Sequence, residues 1–95
     1  MSGWVYMMSN RPDGTLYAGV TSDLPKRAWE HREGVVPGFT KRYNLHHLVW
    51  FEFHDDIKGA IQREKVLKSW PRSRKCGLIA EMNSAWSDLY DQLNR

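Results

Sequence analysis

The segment WVYMMSNRPDGTLYAGVT, residues 4–21, decides how this chain folds. Trp4 to Ser9 is rich in aromatic and β-prone residues and predicts a strand. Asn10 to Gly14 predicts a turn: Pro12 presets its own φ, Asp13 bonds to local backbone, and Gly14 tolerates a positive φ. Thr15 to Thr21 is then a second strand, and the two form a hairpin. Because strand side chains alternate, Leu16, Ala18 and Val20 share one face, and Tyr17 and Gly19 share the other. In the first strand Val5 and Met7 oppose Tyr6 and Met8. With residues 10–13 as the turn, Tyr6 lies directly across from Tyr17. Shifting the pairing sum by two keeps both tyrosines on one face, whereas shifting it by one separates them.

A helix follows the hairpin. Ser22 or Asp23 caps it, Pro25 fits a first turn that needs no amide donor, and Gly34 stops it. Residues 35–45 read as a loop containing Pro37, Gly38 and the basic pair Lys41-Arg42. His46 to His54 alternates around Val49, Phe51 and Phe53 and predicts a third strand. Asp55 or Asp56 caps a second helix that runs to Trp70, where Pro71 ends it. Arg72 to Met82 reads as a helix and Trp86 to Leu93 as a short final one. The order is β-β-α-β-α-α-α, an α+β arrangement in which helices cover the sheet.

The chain has 95 residues, which predicts one domain over 1–95. Five tryptophans, four tyrosines and three phenylalanines make its small core aromatic. The single cysteine, Cys76, excludes an internal disulfide and a cysteine metal cluster, and points to a reducing compartment. No apolar run approaches the ~18 residues of a membrane span, and no basic segment followed by an apolar one opens the chain. A cytoplasmic protein without membrane contact is the expectation. The net charge of +3 is unevenly placed: Lys26 to Lys75 holds twelve Lys/Arg against six Asp/Glu, and the two ends are mildly acidic. A basic middle implies an anionic partner, of which nucleic acid is the common one; an ordinary solvated helix face is the plainer explanation.

Two helical stripes carry groups out of place. On the first helix Leu24, Arg27, Ala28 and His31 fall at i, i+3, i+4 and i+7, so an arginine and a histidine share a face that ought to be apolar. On the second, Ile57, Ala60, Ile61, Glu64 and Leu67 follow helical spacing, and Glu64 stands within the apolar stripe. A carboxylate there is paired with a base such as Arg27, protonated, or bound to a cation. Other catalytic signatures are absent. The seven glycines make no phosphate loop. His46 and His47 are adjacent, so a strand points them to opposite faces, and Asp55-Asp56 is more simply a helix cap.

This ordered set resembles the GIY-YIG nuclease superfamily. Trp4-Val5-Tyr6 is similar to its first motif and Tyr17-Ala18-Gly19 to its second, followed by Arg27 and His31 on a helix and a distant Glu64. Thr40 and Tyr43, Arg63-Glu64 with Lys68-Ser69-Trp70, and Asn83 with Trp86 resemble the small stand-alone bacterial members. Trp4 replaces the usual Gly of the first motif and Ala18 the usual Ile of the second; neither position supplies a reactive group.

The resemblance implies a three-stranded antiparallel sheet flanked by helices. It implies endonucleolytic hydrolysis of a phosphodiester, in DNA more than RNA, with one divalent ion and with 3′-hydroxyl and 5′-phosphate products. The implied site is Tyr6, Tyr17, Arg27, His31 and Glu64, with Glu64 holding Mg²⁺ or Mn²⁺ together with waters and substrate phosphate. Tyr6 is the first choice for general base, provided that its pKa falls towards neutrality; Tyr17 then orients water or phosphate, and the reverse assignment stays open. Arg27 clamps the scissile phosphate. Lys41, Arg42, Tyr43, Lys68, Arg72, Arg74 and Lys75 are candidate nucleic-acid contacts, and Asn83 a supporting residue. Larger members carry a separate DNA-binding domain, so a recognition partner protein is a candidate in its place. Two alternatives accompany this reading: a silent nucleic-acid-binding module of the same fold, and an α+β interaction protein whose tyrosines are core.

Overall fold

The structure, a computed structural model, describes residues 1–94. Its elements are β1 (Gly3–Ser9), β2 (Leu16–Thr21), α1 (Leu24–Arg32), α2 (Phe39–Arg42), β3 (His47–His54), α3 (Ile57–Ser69), α4 (Arg72–Asn83) and a closing 3-10 helix (Tyr90–Asn94). The three strands form one antiparallel sheet in the order β2-β1-β3, so the first strand is central. The fold is thus α+β with a three-stranded antiparallel sheet and flanking helices.

A central strand covered on both faces must be apolar on both, and β1 is buried from Val5 to Ser9. On one face Val5 and Met7 pack with Ala18, Trp50, Ala60 and Leu67 of α3 and Ile79 of α4. On the other, Tyr6 and Met8 pack with Leu24 and Ala28 of α1, and with Leu45, Leu48 and Leu89. The caps follow the sequence: Asp23 accepts from the Lys26 amide and Asp56 from the Lys58 amide.

Four details differ from the sequence expectation. The hairpin register is shifted by two residues, pairing Tyr6 with Gly19 and Met8 with Tyr17. The cause is a longer connection. Asn10 Oδ1 accepts from the Thr15 amide, the Gly14 amide donates to Arg11, and Asp13 itself takes a positive φ of 56°. The even shift leaves both tyrosines on one face. Secondly, the expected 35–45 loop contains α2, whose 4 residues are too few to leave a periodic signal. Thirdly, the final helix does not begin at Trp86. That residue has a φ of 56°, and helical structure starts only at Tyr90. Finally, Ile61 is exposed at 37%, so the buried stripe of α3 is narrower than its spacing implied.

Candidate active site

Tyr6 and His31 meet because β1 and α1 share a face of the sheet. Tyr6 Oη lies 2.9 Å from His31 Nε2, and both side chains are 2% exposed. The second ring nitrogen, Nδ1, lies 3.0 Å from Oγ1 of buried Thr40 in α2. His46 Nδ1 donates to the His31 carbonyl at 2.9 Å and steadies the end of α1. Burial, with Arg27 next, pushes the His31 pKa down to about 4, so the imidazole is neutral at physiological pH. Burial also raises the Tyr6 pKa, and Tyr17 adds to the rise; Arg27 opposes it. The fall towards neutrality that a free tyrosinate base requires is therefore not found in this state, and the phenol is protonated.

Gly19 explains how the two tyrosines come together. A Cβ at this position would sit 2.5 Å from Tyr6 Oη and 3.0 Å from Tyr17 Cε2, so any side chain displaces the rings. The Tyr6 and Tyr17 centroids are 6.4 Å apart, and Tyr17 is 5.8 Å from the His31 ring. Arg27, one turn before His31, keeps its side chain 42% exposed and lies 3.4 Å from Glu30. Its guanidinium remains accessible to an anion.

Glu64 reaches this group by a different route from the one its pattern suggested. α3 packs on the Val5–Met7–Ala18 face, opposite Tyr6 and α1, so the five residues do not all rise from one side of the sheet. α3 also packs along the edge strand β2. Glu64 Oε2 is 3.6 Å from Lys68 Nζ, which itself lies 5.9 Å from the Tyr17 ring centre. The Glu64 charge adds, after burial and Tyr17, to the rise in the Tyr6 pKa. Its side chain is 16% exposed, and its ion pair is with Lys68 rather than with Arg27. Among the described residues no three His, Cys, Asp or Glu converge on a metal position.

The peripheral candidates divide. Lys68 and Lys75 line a cleft with Tyr17 and Phe39, and Lys41, Arg42 and Tyr43 line the adjoining surface of α2. Arg72 instead donates to the Asp13 and Gly14 carbonyls at 2.8 and 2.6 Å and ties α4 to the hairpin loop. Arg74 lies 4.0 Å over the Trp70 ring. Asn83 donates to the Val49 and Ser87 carbonyls and accepts from the Ser87 amide; its side chain serves the end of α4. Sequence reasoning gave no role to Phe39, which stacks on Tyr17 at 6.3 Å and touches Tyr43 at 4.7 Å. The i, i+4 spacing of Phe39 and Tyr43 was the available signal.

A pair of aromatic-edged strand motifs, a cationic helix and a lone helical carboxylate define a class, and the family comparison agrees. The family model described as the GIY-YIG catalytic domain matches residues 2–76, and the chain belongs to this family. It is similar to a UPF0213 protein of Staphylococcus saprophyticus, 33% identical over 78 residues that cover 82% of this chain and 94% of that one. A UPF0213 protein of Bacillus pumilus is 37% identical over 70 residues, 74% of this chain and 71% of the relative. The fold matches the solution NMR structure of the UPF0213 protein BH0048 from Bacillus halodurans with a TM-score of 0.58, 24% identity and 93% coverage of each chain. Among the described residues no helix is long and apolar enough to cross a membrane.

The buried imidazole has a consequence for stability. Unfolded, His31 takes up a proton near its ordinary value of about 6.5; folded, it does so only near 4. Its stabilising contribution is present above 6.5 and is lost as pH falls towards 4, with a ceiling of about 3 kcal/mol. Melting temperature measured from pH 7 to 4 is expected to fall more steeply for the wild type than for His31→Gln. Parallel curves would contradict the neutral, buried imidazole.

Proposed function

We propose that this protein is a metal-dependent endonuclease that hydrolyses phosphodiesters in nucleic acid, DNA more than RNA. The observation that carries this reading is the Tyr6–His31 pair: a protonated phenol 2.9 Å from a neutral imidazole, beside a half-exposed Arg27. A neutral imidazole accepts the proton that Tyr6 gives up as Tyr6 takes one from water, so no free tyrosinate is needed beforehand. Arg27 binds the scissile phosphate and offsets charge gathering on its oxygens. Tyr17, on the same face, orients the water or the phosphate.

Glu64 fits a hard divalent cation such as Mg²⁺ or Mn²⁺. It is a mostly shielded carboxylate whose ion-pair partner, Lys68, is itself half exposed. One or two carboxylates with water and phosphate oxygens are an ordinary ligand set for Mg²⁺. When bound, the ion supplies polarisation of the phosphoryl group and a lowered pKa for bound water.

The basic and aromatic surface formed by Lys41, Arg42, Tyr43, Phe39, Lys68 and Lys75 adjoins Tyr17 and suits a phosphate backbone with bases stacked on rings. Arg72 contributes to the loop rather than to this surface. A recognition partner protein would extend the small contact area. The test is a cleavage screen over duplex, branched and single-stranded DNA and over RNA, with Mg²⁺ and Mn²⁺, beside a binding titration. With four phosphate contacts, affinity is expected to drop about a hundredfold between ~50 and ~200 mM salt. Cleavage of none of these substrates defeats the enzyme reading, and affinity indifferent to salt defeats the surface.

A further inference from the structure

We infer that Thr40 is a positioning residue: its hydroxyl accepts the His31 Nδ1 proton and holds the ring with the Nε2 lone pair facing Tyr6. This deepens the reading given under Proposed function and rests on it for its catalytic consequence. The tautomer itself follows from the hydrogen bonds.

Tyr6 is buried, and its hydroxyl hydrogen needs an acceptor. Among the described residues, the hydrogen-bond partner of Tyr6 Oη is His31 Nε2 at 2.9 Å. A neutral imidazole carries one N–H, so if Nε2 accepts, Nδ1 holds the proton. At 3.0 Å stands Thr40 Oγ1, 4% exposed, which then accepts from Nδ1–H. This arrangement satisfies the phenol donor and both ring nitrogens at once. The opposite tautomer makes Thr40 donate to Nδ1 and Nε2–H donate to Tyr6, leaving the buried phenol hydrogen without that acceptor.

Geometry gives this hydrogen bond a second meaning. Tyr6 and His31 belong to β1 and α1, but Thr40 belongs to α2, the same four-residue helix that carries Phe39, Lys41 and Arg42. The Leu45 amide donates to the Thr40 carbonyl at 2.8 Å, joining the end of this segment to the core. The surface that would meet nucleic acid and the atom that accepts the imidazole proton therefore belong to one short helix.

The chemical step balances. A water O–H gives its proton to Tyr6 Oη while Tyr6 gives its own to His31 Nε2. The water oxygen's electron pair forms the new O–P bond, and the P–O3′ bond breaks with its pair on the 3′ oxygen. That oxygen takes a proton from solvent, and the imidazolium returns one to solvent through Tyr6. Nδ1–H stays on Thr40 throughout, so the ring does not turn over between cycles.

The experiment is ¹⁵N NMR of the imidazole nitrogens in the full chain, which distinguishes protonated from lone-pair nitrogens. Wild type and Thr40→Ser are expected to show Nδ1–H. Thr40→Val, close in shape but without an acceptor, is expected to keep the tautomer that Tyr6 holds, to shift the Nδ1–H signal and to speed its exchange with solvent. In the cleavage assay its kcat is expected to drop about tenfold or more with KM little changed, and Thr40→Ser is expected to recover most of it. Amide spectra report whether each variant is folded; if Thr40→Val is not, the wild-type and Thr40→Ser spectra decide. An Nε2–H ring in the wild type, or an Nδ1–H signal and exchange rate unchanged in folded Thr40→Val, overturns the inference. A wild type with the Nδ1–H ring that cleaves no substrate supports the tautomer assignment and defeats the nuclease reading.

Discussion

Glu64→Gln is expected to reduce cleavage by about a thousandfold or more while leaving the fold in place. The amide keeps the shape of the side chain and removes its charge. Among the described residues no three His, Cys, Asp or Glu gather at one position, so no ready-made ligand cluster stands in for it. Losing the cation removes several kcal/mol of transition-state stabilisation, and about 1.4 kcal/mol is already tenfold in rate. Stability responds far less. The ion pair being broken joins Glu64 to Lys68 one turn away at 3.6 Å, with Lys68 51% exposed. Exposed i, i+4 pairs contribute ~0.3–0.5 kcal/mol. The interaction-protein alternative expects Glu64 to neutralise a buried base such as Arg27; the base it pairs with is the half-exposed Lys68, and Arg27 lies beside Glu30. Melting curves with and without Mg²⁺, run beside cleavage assays, separate the two roles. A variant that still cleaves, or a wild type whose stability ignores the ion, removes Glu64 from the metal site.

Tyr6→Phe carries the second large effect. Deleting one hydroxyl removes the group that stands between water and the imidazole, and positioned proton transfer contributes ~10²–10⁴-fold to rate. The same change leaves His31 Nε2 buried without its 2.9 Å partner, at a stability cost of about 1–3 kcal/mol. The expected pattern is therefore a slow and less stable protein with nearly unchanged affinity for nucleic acid. Tyr17→Phe is the control. Tyr17 is partly exposed, its ring packs on Phe39, and its loss is expected to cost less stability. If Tyr17→Phe proves the slower variant at equal binding, the roles of the two tyrosines exchange.

The legibility of the sequence followed the physics that each signal rests on. Strand alternation and helical spacing put Tyr6 and Tyr17 on one face and Leu24, Ala28 and His31 on one stripe, because these periodicities are set locally. The hairpin register was off by two because it depends on how Asn10 and Asp13 bond within the connection, and composition does not show that. The charge of Glu64 within an apolar spacing was readable, but its approach along the β2 edge from the opposite face was not. That placement belongs to the packing of α3 on the sheet. Thr40 was named only through the resemblance and Phe39 not at all, and the contacts of both were hidden for a related reason. Their partners, His31 and Tyr17, lie 9 and 22 positions earlier in the chain, and a four-residue helix has no periodicity to announce which side faces them. Asn83 entered only through the family resemblance, and its amide proves to be spent on backbone groups.

The central position of β1 shapes how the molecule is born. The ribosome makes this strand before its two neighbours, and the hairpin gives it one of them as soon as residue 21 has emerged. Its other edge waits for β3, which ends at His54, and one of its faces waits for Leu67 and Ile79. During that interval a run of buried-type residues, Val5 to Met8, has an open edge and an uncovered face, the condition under which strands pair with the wrong chain. Slow elongation between residues 21 and 79 would therefore be felt as lost yield, and substitutions that soften Met7 or Met8 would change recovery from the cell before they changed the finished protein.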